Sequence, residues 1–206
     1  MLDRKYWFWA GILLYCLGCR LLPWALSHAG MPLDPEATWY PWNFAPMMAV
    51  TLLCGTGVTN WRWAFVLPLV VRAAGDVGIG LLTGNWDWAF PPDNLLTYAC
   101  FVFTAWLGTR LRSRPQWTLA LPAAVLGEIV FFLVSNFGVW WLGEGLSHYP
   151  PTMAGLWWCY TAALPFFGRS LLSTLVFTRL LYSPVALRMA GIAPVEDLRA
   201  EVAVAP

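Results

Sequence analysis

Six stretches of the chain are apolar for long enough to cross a lipid bilayer, at about 6–26, 43–60, 63–83, 94–112, 117–142 and 155–180. A helix rises about 1.5 Å per residue, so a hydrocarbon core of about 30 Å takes about 20 residues, and the pattern predicts six spanning helices. The fifth stretch is the most informative, because polar positions interrupt it in register. Glu128, Ser135 and Asn136 stand at i, i+7 and i+8 and share one helix face. Lipid cannot hydrogen-bond them, so that face must look into protein or a wet cavity. A carboxylate placed inside a membrane span points to a functional site.

Composition supports the same class. Of 206 residues, 59% are hydrophobic and 11% charged, and the mean hydropathy is +0.59. A soluble domain carries about 25% charged residues and could not hide this much apolar surface. The net charge of +1 is uninformative about nucleic acid, and no cluster of Lys and Arg is large enough to suggest it, so no nucleic-acid partner is expected. The five cysteines (Cys16, Cys19, Cys54, Cys100, Cys159) are scattered through apolar runs and odd in number, which argues against a disulfide framework. Cys16 and Cys19 form a C-x-x-C with no accompanying His or second pair and read as small packing residues.

Orientation follows from the connections. Arg4 and Lys5, Arg62, the trio Arg110, Arg112 and Arg114, and Arg188 and Arg199 all fall on one side if the six runs alternate in direction. The other connections, 27–42, 84–93 and 143–154, hold no Lys or Arg, only acids and the two histidines. Both termini are therefore expected on the cytoplasmic side of a membrane that the chain crosses several times. Ser27-His28-Ala29 faintly resembles a cleavage site, but the first run is long and holds Arg20, so a retained helix is expected. Residues 1–182 read as one domain and 183–206 as a short polar cytoplasmic tail, mobile at its end. The outer connections are rich in Trp, Tyr and Pro, either as an aromatic belt or as lids over an outward-facing pocket.

Four further charges sit within the spans. Arg72 and Asp76 are i and i+4 on one helix and close enough to pair, either as a structural ion pair or with Asp76 as the floor of a binding site. Arg20 has no acid on its own helix; it can snorkel, pair with Glu128 or Asp76, or receive an anionic ligand. Arg169 is placed to pair with Glu128. Arg72, Glu128 and Arg169 read as structural intramembrane charges, and three arginines against two acids leave a positive surplus that suits an anion. Counting depth along the spans gathers Arg20, Asn43, Asp76, Asn136 and Tyr160 toward one outward-facing polar patch, with Trp39, Trp42, Trp86 or Trp140 available to stack on a ligand.

Other chemistry is missing. There is no phosphate-binding G-x-x-x-x-G-K-[ST] loop, no H-E-x-x-H and no G-x-S-x-G elbow, and His28 and His148 lack metal-ligand spacing. The sequence points to no cofactor, no metal and no catalysis.

Several blocks together resemble an uncharacterised family of small bacterial membrane proteins: Arg20–Pro23 (RLLP), Asn43–Pro46 (NFAP), Asp76–Gly80 (DVGIG), Phe131–Trp140 (FFLVSNFGVW), Tyr149–Leu156 (YPPTMAGL), Cys159-Tyr160 and Pro165–Phe167 (PFF). That family is distantly similar to the substrate-binding S components of energy-coupling factor (ECF) transporters. The resemblance implies a six-helix bundle with a ligand cavity near its outer face, capped by the 27–42 connection. It also implies partners, a membrane coupling subunit and two ATPases. S components present an A-x-x-x-A spacing on the first helix for docking; here Ala10 is followed by Leu14, leaving only Gly11 and Gly18.

The leading expectation is a substrate-capture subunit for a small, anionic or aromatic vitamin-like solute, embedded in lipid. The alternative is a scaffolding membrane subunit whose charges lock helices together without a small ligand. A membrane enzyme using Glu128 or Asp76 as general base lacks a nucleophile or metal.

Overall fold

The computed structural model describes residues 3–31, 44–142 and 149–198. Among them the chain is all-helical, in the order α1 (Arg4–His28), α2 (Met47–Gly57), α3 (Trp61–Thr83), α4 (Trp86–Ala89), α5 (Asn94–Thr109), α6 (Trp117–Leu142), α7 (Met153–Leu181) and α8 (Pro184–Met189). Three of these helices, α1, α3 and α6, are long and apolar enough to cross a membrane. That corrects the expectation of six full spans. At 11 residues α2 rises about 16 Å, and at 16 residues α5 rises about 24 Å, both short of a hydrocarbon core. The 29-residue α7 is long enough, but its apolar run is diluted by Pro165, Arg169, Arg179 and five Ser and Thr residues.

The bundle is built around α2. Its residues from Met48 to Thr56 are all buried, so it is apolar on every side and packed on every side. Two backbones pass unusually close there. A Cβ on Gly55 would lie 2.0 Å from the Ala105 carbonyl oxygen, and one on Gly108 would lie 2.1 Å from that of Leu52. Only glycine at both positions allows α2 and α5 to approach this closely. The closeness is used: Thr56 donates to the Gly108 carbonyl at 3.1 Å and shares a 2.6 Å hydrogen bond with the hydroxyl of Tyr182. Arg112 caps the same end of α2, donating to the carbonyls of Gly55 and Val58 at 2.9 Å each.

Contacts fix the directions of the helices. Arg20 meets Asp76 and Leu21 meets Gly78, so α1 and α3 run parallel. Ser170 reaches Glu128 while Tyr160 reaches Leu133, so α6 and α7 are antiparallel. Phe101 lies on Phe131 and Leu96 on Gly138, making α5 antiparallel to α6. The arginines at 62, 110, 112, 114 and 188 therefore collect at the end that carries α8, and the acids Asp87 and Asp93 at the end that carries α4. Exposed tryptophans mark both ends: Trp7, Trp61, Trp63 and Trp117 at one, Trp86, Trp88, Trp141, Trp157 and Trp158 at the other. Between them the exposed side chains are aliphatic and aromatic, among them Leu14, Val70, Leu133 and Leu172.

Beyond Tyr182, where the sequence reads as a polar tail, the described residues as far as Leu198 stay folded on the bundle. Leu187, Ala190 and Ile192 join the buried cluster around α2, and the Trp9 indole donates to the Ala190 carbonyl at 3.2 Å. Arg188 then clips Asp197 with two hydrogen bonds of 3.0 and 2.8 Å. The Arg188 hydrogen bonds hold the Asp197 carboxyl below its usual range. The clip is therefore complete above the ordinary aspartate value of about 3.9 and is lost as pH falls through the lower folded value. A carboxyl NMR titration is expected to place the Asp197 midpoint below that of a free peptide, and Arg188→Gln to return it there.

Candidate functional site

Asp76 is the centre of the polar constellation. It is fully buried on α3, and four groups from three helices converge on it. Arg20 of α1 donates from its guanidinium to one carboxylate oxygen and forms an ion pair with it. The other oxygen accepts from the Tyr98 hydroxyl at 2.9 Å and from the Asn94 amide at 3.2 Å, with Arg72 Nε at 3.4 Å. Arg72 also donates to the Asn94 carbonyl oxygen at 3.2 Å, which closes the ring.

Local sequence explains why these groups meet. Gly75 precedes Asp76, and a Cβ there would stand 2.3 Å from Cδ of Arg20. The missing side chain is the slot through which Arg20 crosses α3. Gly78, one turn on, gives the same room to Leu21. Past Thr83, Gly84 ends α3 in the left-handed region at φ 70°, its N–H bonded to the Gly80 carbonyl. The Asn85 side chain accepts from the N–H groups of Asp87 and Trp88 and starts α4. This short helix and the Pro91-Pro92 turn carry the chain back inward, so that α5 begins at the depth of Asp76. Asn94 and Tyr98, i and i+4 on its first turns, then face the carboxylate together. Beside them, burial holds the half-buried Asp93 carboxyl above its usual range, opposed by its own backbone hydrogen bond and by the Arg72 charge.

A cavity of about 510 Å³ opens alongside, between the α1–α3 pair and the α6–α7 pair. Its size is that of a small-molecule site. Arg20 and Arg72 form one wall and Ser170 of α7 stands in another, with Trp24 and Ser27 from α1. The rest is apolar, supplied mainly by Met47, Met48, Val71, Phe101, Phe131 and Phe166. Among the described residues two guanidinium groups contact one carboxylate at the cavity wall, with the half-buried Asp93 acting on Arg72 from further off. Nε of both Arg20 and Arg72 is buried without a hydrogen-bond partner among the described residues.

Residues 2–193 match DUF6580, described as a family of unknown function. The chain belongs to this family. No curated protein and no solved structure matches it. Membership of DUF6580 covers nearly the whole described bundle and assigns it no chemistry.

The site predicted from the DUF6580 chain's sequence is only partly assembled. Arg20, Arg72 and Asp76 come together as expected of a pair at i and i+4 with Arg20 added. Glu128 does not join them, nor does it pair with Arg169. It is buried against α7, where Ser170 and Thr174 donate to its two oxygens, the latter at 2.9 Å. Arg169 has no ion pair or hydrogen bond among the described residues.

Asn136, Trp140 and Tyr160 lie on the α6–α7 seam, away from the cavity wall. Asn136 donates to the Phe132 carbonyl of its own helix at 2.7 Å, Tyr160 to Leu133 at 2.8 Å and Trp140 to Pro150 at 3.0 Å. Ser135 likewise donates back to Phe131 at 2.7 Å. A polar side chain in an apolar helix can satisfy itself one turn back, so its presence there need not mark a ligand. Trp86 packs its indole over Gly80 and stacks on Phe90, outside the cavity. Trp39, Trp42 and Asn43 lie outside the described residues.

Sequence reasoning missed Asn94, Tyr98 and Ser170. The signals were there: Asn94 and Tyr98 at i and i+4 open the fourth run, and Ser170 and Thr174 repeat that spacing inside the sixth.

Proposed function

We propose that this chain is a membrane-embedded substrate-capture subunit, of the kind represented by ECF S components, that takes a small anionic solute into the cavity beside Arg20 and Arg72. The single observation that carries the reading is the pair of guanidinium groups in the cavity wall with, among the described residues, only one carboxylate in contact. An anion entering there gains charge-assisted hydrogen bonds at little further desolvation cost, because both arginines are already held in place by Asp76 and Asn94. The Met and Phe walls suit an apolar body attached to that anion.

Membrane embedding is supported by the three long apolar helices, the exposed tryptophans at both ends and the aliphatic band between them. In this reading the bundle crosses the bacterial inner membrane with the arginine-rich α8 end and both termini in the cytoplasm. The α4 end then faces outward and the solute arrives from that side. Capture alone moves nothing, and the sequence has no ATP-binding loop, so the reading carries with it a coupling subunit and ATPases as partners.

The test is native mass spectrometry of protein purified in mild detergent. Wild type is expected to carry a small anionic molecule at one per chain. Arg20→Ala is expected to lose it by at least a hundredfold in affinity while the bundle stays folded, because Asp76 keeps Arg72, Asn94 and Tyr98. A protein that is empty in both forms, and held in a stoichiometric complex with other membrane proteins, would replace capture with scaffolding.

A further inference from the structure

We infer that the captured solute carries a hydrogen-bond donor, in the simplest case an ammonium group, at the end remote from its anion. The inference rests on the capture reading above and names the class of its ligand.

Besides the Trp24 indole and the Ser27 hydroxyl of α1, the cavity has two polar poles of opposite character. On the α1–α3 side Arg20 and Arg72 are donors only, since a guanidinium has no acceptor. On the α7 side stands Ser170. Its hydroxyl proton is committed to the buried Glu128, which also accepts from Thr174 at 2.9 Å. With its single proton turned away, Ser170 shows the cavity only the lone pairs of Oγ. That pole accepts and does not donate.

Among the described residues no Lys, Arg or His lies within ion-pair distance of Glu128, so Ser170 and Thr174 are its polar partners there. Between the poles lie Met47, Met48, Phe101, Phe131 and Phe166, none of which hydrogen-bonds conventionally. A solute with an anion alone would leave the Ser170 lone pairs facing apolar surface. One with an apolar spacer between an anion and a donor satisfies both poles at once. An α-amino acid does not, because both of its charges sit at one end.

The experiment is calorimetric titration of the whole protein in lipid nanodiscs with three matched series: the ω-amino acids from aminobutanoate to aminodecanoate, the corresponding fatty acids, and norleucine as the α-amino acid. At the best length the ω-amino acid is expected to bind about tenfold or more tighter than the fatty acid. Norleucine is expected to gain nothing over hexanoate. Ser170→Ala is expected to erase the advantage, and Thr174→Ala, which also takes a donor from Glu128 but does not border the cavity, to keep it. Equal binding of both series, lost on Arg20→Ala, would overturn this inference and leave capture standing. So would an ω-amino advantage that survives Ser170→Ala. If no carboxylate binds, or Arg20→Ala changes nothing, capture falls and this inference with it.

Discussion

Asp76→Asn is expected to cost about 3–5 kcal/mol of stability, which for a chain of this size lowers the thermal midpoint by roughly 10 °C or more. The substitution keeps the shape of the side chain and its acceptor toward Tyr98. What it removes is, among the described residues, the only carboxylate in contact with two guanidinium groups, both of which are mostly buried. Like charges facing each other with no carboxylate in contact are the dominant loss, larger than any hydrogen bond. Arg20→Ala should cost much less, since it leaves Asp76 with Arg72, Asn94 and Tyr98. Replacing all three charges together, by Arg20→Met, Arg72→Met and Asp76→Leu, should recover most of the stability. A buried ionic cluster of this kind is often no more stable than apolar side chains of the same volume. Such a triple variant would be folded and unable to bind an anion, which separates the structural from the functional use of the cluster. Thermal denaturation of the three proteins in one detergent checks the order.

Gly108→Ala is expected to be the second most damaging change, at about 3 kcal/mol or more. The added methyl would sit 2.1 Å from the Leu52 carbonyl oxygen, and a backbone atom cannot swing aside as a side chain can. The two central helices must separate, and with them go the Thr56 bond to Gly108 and its link to Tyr182. Gly11→Ala and Gly18→Ala are the controls. A Cβ at either meets nothing within 4 Å. In a helix interior alanine is favoured over glycine by up to about 1 kcal/mol, so these two should be neutral or stabilising. Denaturation midpoints of the four proteins check the contrast. A Gly108 variant as stable as wild type would mean that α2 and α5 do not cross at this point.

What the sequence made legible was periodicity and charge spacing. The runs at 63–83 and 117–142 became α3 and α6 with almost the same ends, and Arg72 and Asp76, four apart, do pair. What it could not show was which face meets which neighbour. Glu128, Ser135 and Asn136 share a stripe, yet one turns to the hydroxyls of α7 and the others to carbonyls of their own helix. Helix length was over-read at the centre of the bundle. An apolar run looks the same whether lipid or protein surrounds it, and α2 is short because protein does. The same ambiguity hid the end of the chain. Leu187, Ala190 and Ile192 are too few and too widely spaced to stand out as a pattern, but they suffice to cover the end of α2.

The space beside Arg20 and Arg72 is proposed to hold an anionic solute. A high-resolution experimental structure of the protein as purified from its native membrane tests it most directly. A small molecule is expected in that space, with an anionic group against the two guanidiniums, an apolar body along Phe101, Phe131 and Phe166, and a donor toward Ser170. A cavity filled by side chains of the protein itself or of a tightly bound partner subunit, with both arginines fully paired inside the protein, would contradict it.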